Sequence, residues 1–286
     1  MSRVLVAGAT GYLGRHVVAE LSRRGHRVRA IVRHRSRAEA PGACSAPPLS
    51  GSVDEWAVGD VTDASFTRDI ADGVDEVISA LGVTRQKADP WEIDNRANLA
   101  VLDSSLRFAV RSFTYVGVLH GDRCPARLTR AKTTFAQTLT ASPMSERIIN
   151  PTGYFSDMLD VLALARRGLV PLLRPHGRIN PIHGADLARF CVDRMEGSDA
   201  GSWDVGGPQS LTWRDVALTA FEAAGRHPRI LHVPERIAAP ALRAVGLFSP
   251  RTADLGEFAV WGMVHDAIAP ATGTRRLADF FAERTG

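Results

Sequence analysis

Between residues 4 and 21 the chain reads VLVAGATGYLGRHVVAEL: an apolar run of strand character, three glycines spaced G-x-x-G-x-x-G, and then a helix-like run. The segment turns tightly at Gly8, passes Ala9, Thr10, Gly11, Tyr12 and Leu13, and places Gly14 inside the next helix, which fits a parallel α/β sheet. Each glycine has a mechanical reason. Gly8 permits the turn, Gly11 lets a diphosphate approach the backbone, and Gly14 lets the helix pack closely on the sheet. The helix N-terminus adds unpaired N–H groups and a partial positive charge that suit phosphates. The turn is therefore shaped for a dinucleotide.

The rest of the first half keeps the same alternation. The pattern predicts strands over 3–8, 27–32, 56–59, 74–79, 112–117 and 145–149, and helices over 12–24, 64–71, 92–109 and 129–141. Residues 38–55 carry Pro, Gly and Ser without periodicity and read as a long exposed loop. Beyond residue 150 the alternation weakens. Helices are predicted over 154–167, 184–196, 212–224, 234–245, 251–265 and 275–283, with strand-like pieces at 178–182, 203–206 and 229–233. The pattern describes an α/β chain. The expectation is a Rossmann-type doubly wound parallel sheet that binds a dinucleotide over 1–150, and a smaller, mostly helical C-terminal substrate-capping region over 151–286, partly interleaved with the first.

The second strand ends in Arg33-His34-Arg35-Ser36-Arg37, with no acid before Glu39. NAD-specific sites place an acid there to bind the ribose 2′-hydroxyl, whereas a guanidinium clamps a 2′-phosphate, so Arg33, Arg35 and Arg37 favour NADPH over NADH. The neighbouring Arg23, Arg24 and Arg29 read as a solvated face. A nucleic-acid surface is disfavoured by the net charge of only +4, by Glu20 and Glu39, and by the lack of interleaved aromatics. No apolar run approaches the roughly 18 residues of a membrane span, and no secretory leader is evident, so the reading is a cytoplasmic protein without a membrane partner. Cys44, Cys124 and Cys191 lie far apart and give no metal-binding spacing. All but two of the 35 basic side chains are arginines, which points to a high-GC genome and makes Lys87 and Lys132 stand out.

GATGYLG at the start, GD at 59–60, ISALG at 78–82, AK at 131–132, INPTGYFSDM at 149–158 and NPIHGADLA at 180–188 come in this order. Together they resemble the atypical short-chain dehydrogenase/reductases, in particular the NmrA-like NAD(P)-binding branch. The resemblance covers most of the first 225 residues, and residues 226–286 match only loosely. It implies that Asp60 and Val61 face the adenine, that Ala80, Leu81 and Gly82 pass beneath the cofactor, and that Pro151, Thr152, Gly153, Tyr154 and Phe155 surround the nicotinamide end. It also places Lys132 at the family's lysine, bonding the nicotinamide ribose.

Where the family carries a serine and a Tyr-x-x-x-Lys motif, this chain has Gly117 and Val118 at the end of the fifth strand and Leu128 four residues before Lys132. Leucine donates no proton. His120 and Tyr154 are the candidate donors among nearby residues, and an ordered water is another route. Tyr115 reads as core, and His183 as support near a helix start. A substrate with a phenol beside its ketone needs no protein acid, because its own hydroxyl stabilises the developing alkoxide. The expectation is an NADPH-dependent ketoreductase of angucyclinone-type aromatic polyketides. Its substrate site would be formed by Gly117, Val118, Tyr154, Phe258 and Trp261, with Phe248 and Met263 nearby. The competing reading is a non-catalytic NADP(H) sensor of NmrA-like type. A nucleotide-sugar epimerase is disfavoured because such enzymes generally keep the tyrosine.

Overall fold

The computed structural model describes residues 1–83, 88–237, 240 and 249–285. Strands of the first half run parallel because each returns to the same end of the sheet over a helical crossover. In chain order these are β1 (Arg3–Ala7), α1 (Tyr12–Arg23), β2 (Arg27–Val32), α2 (Arg35–Glu39), β3 (Glu55–Val58), α3 (Ala64–Thr67), β4 (Glu76–Ser79), a π-helical turn (Trp91–Ala97) running into α4 (Asn98–Arg107), β5 (Ser112–Val116), α5 (Arg127–Ala141) and β6 (Ser145–Pro151). The second half supplies α6 (Leu159–Arg166), β7 (Val170–Leu172), β8 (Arg178–Ile179), α7 (Gly184–Glu196), β9 (Gly201–Val205), β10 (Leu211–Thr212), α8 (Trp213–Ala223) and β11 (Ile230–His232). Two further helices span Pro250–Val264 and Leu277–Ala282. None of the described helices is long and apolar enough to cross a membrane.

Seven strands form one parallel sheet in the order β3-β2-β1-β4-β5-β6-β9. The order reverses between β1 and β4, which opens a crevice at the carboxyl ends of those strands. Strand β1 is apolar from Val4 to Ala7 because both of its faces are covered there. Val4 and Val6 pack in the layer under α1 and α7, while Leu5 and Ala7 pack in the opposite layer with Phe113, Tyr115 and Phe135. A third core gathers Phe155, Leu162, Val216, Phe221, Phe280 and Phe281 from the second half. Strand β9 closes the main sheet beside β6, so the two halves share it.

The expected exposed loop over 38–55 is corrected: Ala38, Ala46 and Leu49 are buried, and residues 35–39 form α2. The cause is Arg15, itself only 4% exposed. Its guanidinium donates to the carbonyls of Thr10, Arg37, Ala38, Ala40 and Pro47 at 2.7–3.2 Å, which folds the segment against the start of α1. Three helix predictions also change. The segment 64–71 shortens to Ala64–Thr67, 92–109 opens with the π-helical turn, and 154–167 becomes helical only at Leu159. Most of the helix expected over 234–245 lies outside the described residues.

An aromatic column joins α1 to the second half. Tyr12 meets His16 at a centroid distance of 5.2 Å, His16 meets His183 at 5.4 Å, and His183 meets both Phe155 and Phe280 at 5.6 Å. His183 also caps α7, its Nδ1 accepting from the Ala185 amide. Burial lowers the pKa of both histidines from 6.5 to about 4. In the unfolded chain they bind protons below about 6.5, so the stability present above that pH is lost as pH falls towards 4. Thermal midpoints measured across this window should fall steadily. His16→Leu should flatten part of the slope, and an unchanged slope would disprove the assignment.

Candidate active site

The glycine turn at the switch point tolerates no side chain at two of its three positions. Gly8 has φ +78°, and a Cβ on it would lie 2.6 Å from the Ala80 carbonyl oxygen; on Gly14 it would lie 2.1 Å from that of Gly8. On Gly11 the nearest neighbour is the Gly8 carbonyl at 3.3 Å, with nothing else within 4 Å, so open space lies over the turn. Gly11 is the N-cap of α1 and offers no capping side chain to the first helical amides. This cradle fits a diphosphate held on backbone N–H groups. Leu13 packs in the core, and its part in the cradle is its backbone. The Tyr12 hydroxyl accepts from the Gly184 amide at 3.1 Å, which ties the turn to α7.

At the adenine end, Arg33, Arg35 and Arg37 are all exposed around the start of α2. Arg35 pairs with Glu39 at 2.8 Å and lies over the Trp56 ring at 5.1 Å. The Arg37 carbonyl is held by Arg15. Asp60 accepts from the Thr62 amide and hydroxyl, which lower its pKa, with a smaller contribution from the Arg33 charge. Its neighbour Val61 packs against the second core layer.

Beneath the crevice, the Ala80 amide donates to the Ala7 carbonyl at 2.9 Å, locking the β4 loop to β1. The Lys132 Nζ stands at the ends of β4 and β5. It is 3.0 Å from Asp94 Oδ1, 3.1 Å from the Leu81 carbonyl and 3.4 Å from the Val116 carbonyl. An ammonium has three protons, and three acceptors surround it here, so bonding a ribose hydroxyl requires giving up one of them. Asp94, on the π-helical turn, escaped sequence reasoning because the predicted helix gave it no distinguishing position. A buried acid within an amphipathic pattern was the one signal available. Burial pushes the Asp94 carboxyl up, while Lys132 pulls it down. The Tyr115 ring lies 5.5 Å from Nζ, and burial raises its phenol to about 12 against the pull of Lys132. Leu128, four residues before Lys132, is buried.

On the far side, residues 151–155 tie β6 to the second half. Thr152 donates through its amide to Val205 and through its hydroxyl to Asn180, and the Gly153 carbonyl accepts from Ile182. Pro151 ends β6 in register with Val205. Phe155, placed by the resemblance at the nicotinamide end, instead puts its ring in the third core against His183 and Phe280. Tyr154 remains half-buried, with its ring 6.2 Å from that of Tyr12. Burial raises its phenol pKa, and the Lys132 charge counters part of that rise.

A cavity of about 590 Å³ brings together Gly117, Val118, His120 and Lys132, alongside Asn150 and Asp204. Tyr154, Phe258 and Trp261 do not line it. His120 lies in the left-handed region at φ +51°. Phe258 and Trp261 are half-buried on the helix Pro250–Val264, where Trp261 stacks on His265 at 4.6 Å, and Met263 packs on the third core. Phe248 lies outside the described residues. Asp254 of the same helix accepts from the Arg127 and Leu128 amides, capping α5 and seating this helix above the lysine-bearing one.

Residues 8–161 match the family described as NAD(P)H-binding. Across 312 aligned residues, covering 97% of this chain and 77% of the relative, the chain is 27% identical to a divinyl chlorophyllide a 8-vinyl-reductase of Oryza sativa subsp. indica. It is 25% identical to an NAD(P)H azoreductase of Xenophilus azovorans, over 85% of this chain and 82% of that protein. In fold it is similar to an NADPH-dependent quinone oxidoreductase of Escherichia coli solved with NADPH, with a TM-score of 0.76, 20% identity, and coverage of 99% and 100% of the two chains. The glycine cradle, the switch point and this match agree: the chain belongs to the NAD(P)H-binding family.

Proposed function

We propose that the chain is an NADPH-dependent ketoreductase of a bulky, flat aromatic substrate of the angucyclinone type, reducing a ketone to a secondary alcohol without a protein acid. The observation that carries this reading is the surroundings of Lys132. A buried Leu128 stands where the family's tyrosine would donate, and Gly117 and Val118 replace its serine, so both of the family's donors are absent beside a Lys132 neutralised by Asp94. Of the two alternative donors, His120 and Tyr154, only His120 lines the same cavity. When bound, the dihydronicotinamide supplies the hydride. The oxygen of the reacting ketone takes up negative charge, a neighbouring phenol of the substrate stabilises it by hydrogen bonding and passes it a proton to give the alcohol, and water restores the phenol's proton. Gly8, Gly11 and the start of α1 hold the diphosphate, while Arg33 and Arg37, with Arg35 released from Glu39, take the 2′-phosphate. Residues 151–286 serve as the substrate cap, with Tyr154, Phe258 and Trp261 bordering the crevice. The named relatives act on a vinyl group, azo compounds and quinones, all conjugated systems, which supports a planar unsaturated substrate.

A second reading, a non-catalytic NADP(H) sensor, is favoured by the same missing serine and tyrosine. The two part on turnover. NADPH oxidation followed at 340 nm with a peri-hydroxy polycyclic ketone should proceed, and methylating that phenol should abolish most of it. Equal rates for phenol and methyl ether would remove substrate assistance, and binding of NADPH without oxidation by any such ketone would decide for the sensor. Arg33→Ala combined with Arg37→Ala should weaken NADPH about tenfold or more, as loss of charge-assisted hydrogen bonds does, while leaving NADH binding unchanged. Calorimetry with both nucleotides checks this, and equal weakening of the two would refute the 2′-phosphate role.

A further inference from the structure

The carboxylate of Asp94 has no exposed surface, and Lys132 is its ion-pair partner at 3.0 Å. The acid sits on a short π-helical segment, a rare widening of the helix that is frequent at functional sites. Directly above the pair lies Gly82. A Cβ there would stand 3.4 Å from both Asp94 Oδ1 and Lys132 Nζ. The β4 loop thus packs directly against the pair, while Lys132 itself borders the open cavity and Asp94 lies wholly behind it.

Lysine alone is sufficient to bond the Leu81 and Val116 carbonyls. An added buried acid is costly, because a carboxylate loses its hydration there. Its electrostatic effect is specific, since it cancels a full positive charge at the floor of the crevice. Loss of hydride leaves the nicotinamide ring positively charged, and an uncompensated ammonium close beneath it opposes that change. We propose that Asp94 is a positioning residue that neutralises Lys132 and so sets the balance of affinity between the oxidised and reduced nucleotide. This rests on the reading of the crevice as the NADP(H) site. Asp94 acts through Lys132 and touches neither nucleotide nor substrate.

The test compares the dissociation constants of NADPH and NADP⁺, measured by calorimetry on the full chain, for the native protein, Asp94→Asn, Asp94→Ser, and Asp94→Asn with Lys132→Met. The ratio Kd(NADP⁺)/Kd(NADPH) should rise about tenfold in both single variants, the order expected when one unit charge near the ring is left uncompensated at an effective dielectric of about 20. In the double variant it should return to the native value, because both charges are gone. A merely structural role weakens both nucleotides alike, so an unmoved ratio in the single variants overturns the proposal, as does a ratio still raised in the double variant. A native chain that binds neither nucleotide overturns the reading of the crevice itself, and the proposal with it. Normal binding with an unmoved ratio leaves that reading standing and removes only the role of Asp94.

Discussion

The close approach of bare backbone at the switch point governs this structure. Gly8 lets the β1 turn lie against the β4 loop, and Gly14 lets α1 start directly above that turn. Any β-carbon at either place would drive α1 off the sheet or push the β4 loop away. The crevice exists because two loops and one helix end meet there without side chains between them. Everything proposed for function depends on that junction: the amides over the diphosphate, the floor formed by Ala80, Leu81 and Gly82, and the ion pair behind Gly82.

Around this apolar frame, single buried charges do work that hydrophobic packing cannot. Arg15 gathers five carbonyls and makes an ordered wall out of a segment rich in Pro, Gly and Ser. Lys132 gathers two carbonyls and one carboxylate from three different elements. Asp186 likewise accepts from the Thr274 and Arg275 amides and pairs with the Arg275 guanidinium, fastening the C-terminal segment to α7. Each buried charge is met by several partners, as it must be to offset the loss of water. Such nodes hold irregular backbone in place where periodic structure ends.

Much of the frame was legible in the residues. The six strands of the first half lie within about two residues of their predicted positions, because an alternating apolar pattern with glycine punctuation leaves few other arrangements. The short strands β7 and β10 were missed, being only three and two residues long and set by their neighbours rather than by their own sequence. The burial of residues 38–49 was invisible for a different reason: its organiser is one arginine on a distant helix, which looks like any surface arginine of α1. Lys132 was legible through its rarity and its motif. Its partner Asp94 was not, because a π-helical turn changes which way a residue faces without changing its spacing in the chain. Phe155 shows a different limit: its motif position does not reveal that its ring packs in the third core.

Asp254 caps the first amides of α5, the helix that carries Lys132 one turn further on. Two helices far apart in the chain are thus joined at a single carboxylate. Any shift of the helix Pro250–Val264 therefore strips the first turn of α5 of its cap, and the helix that bears Lys132 loses an anchor at its start.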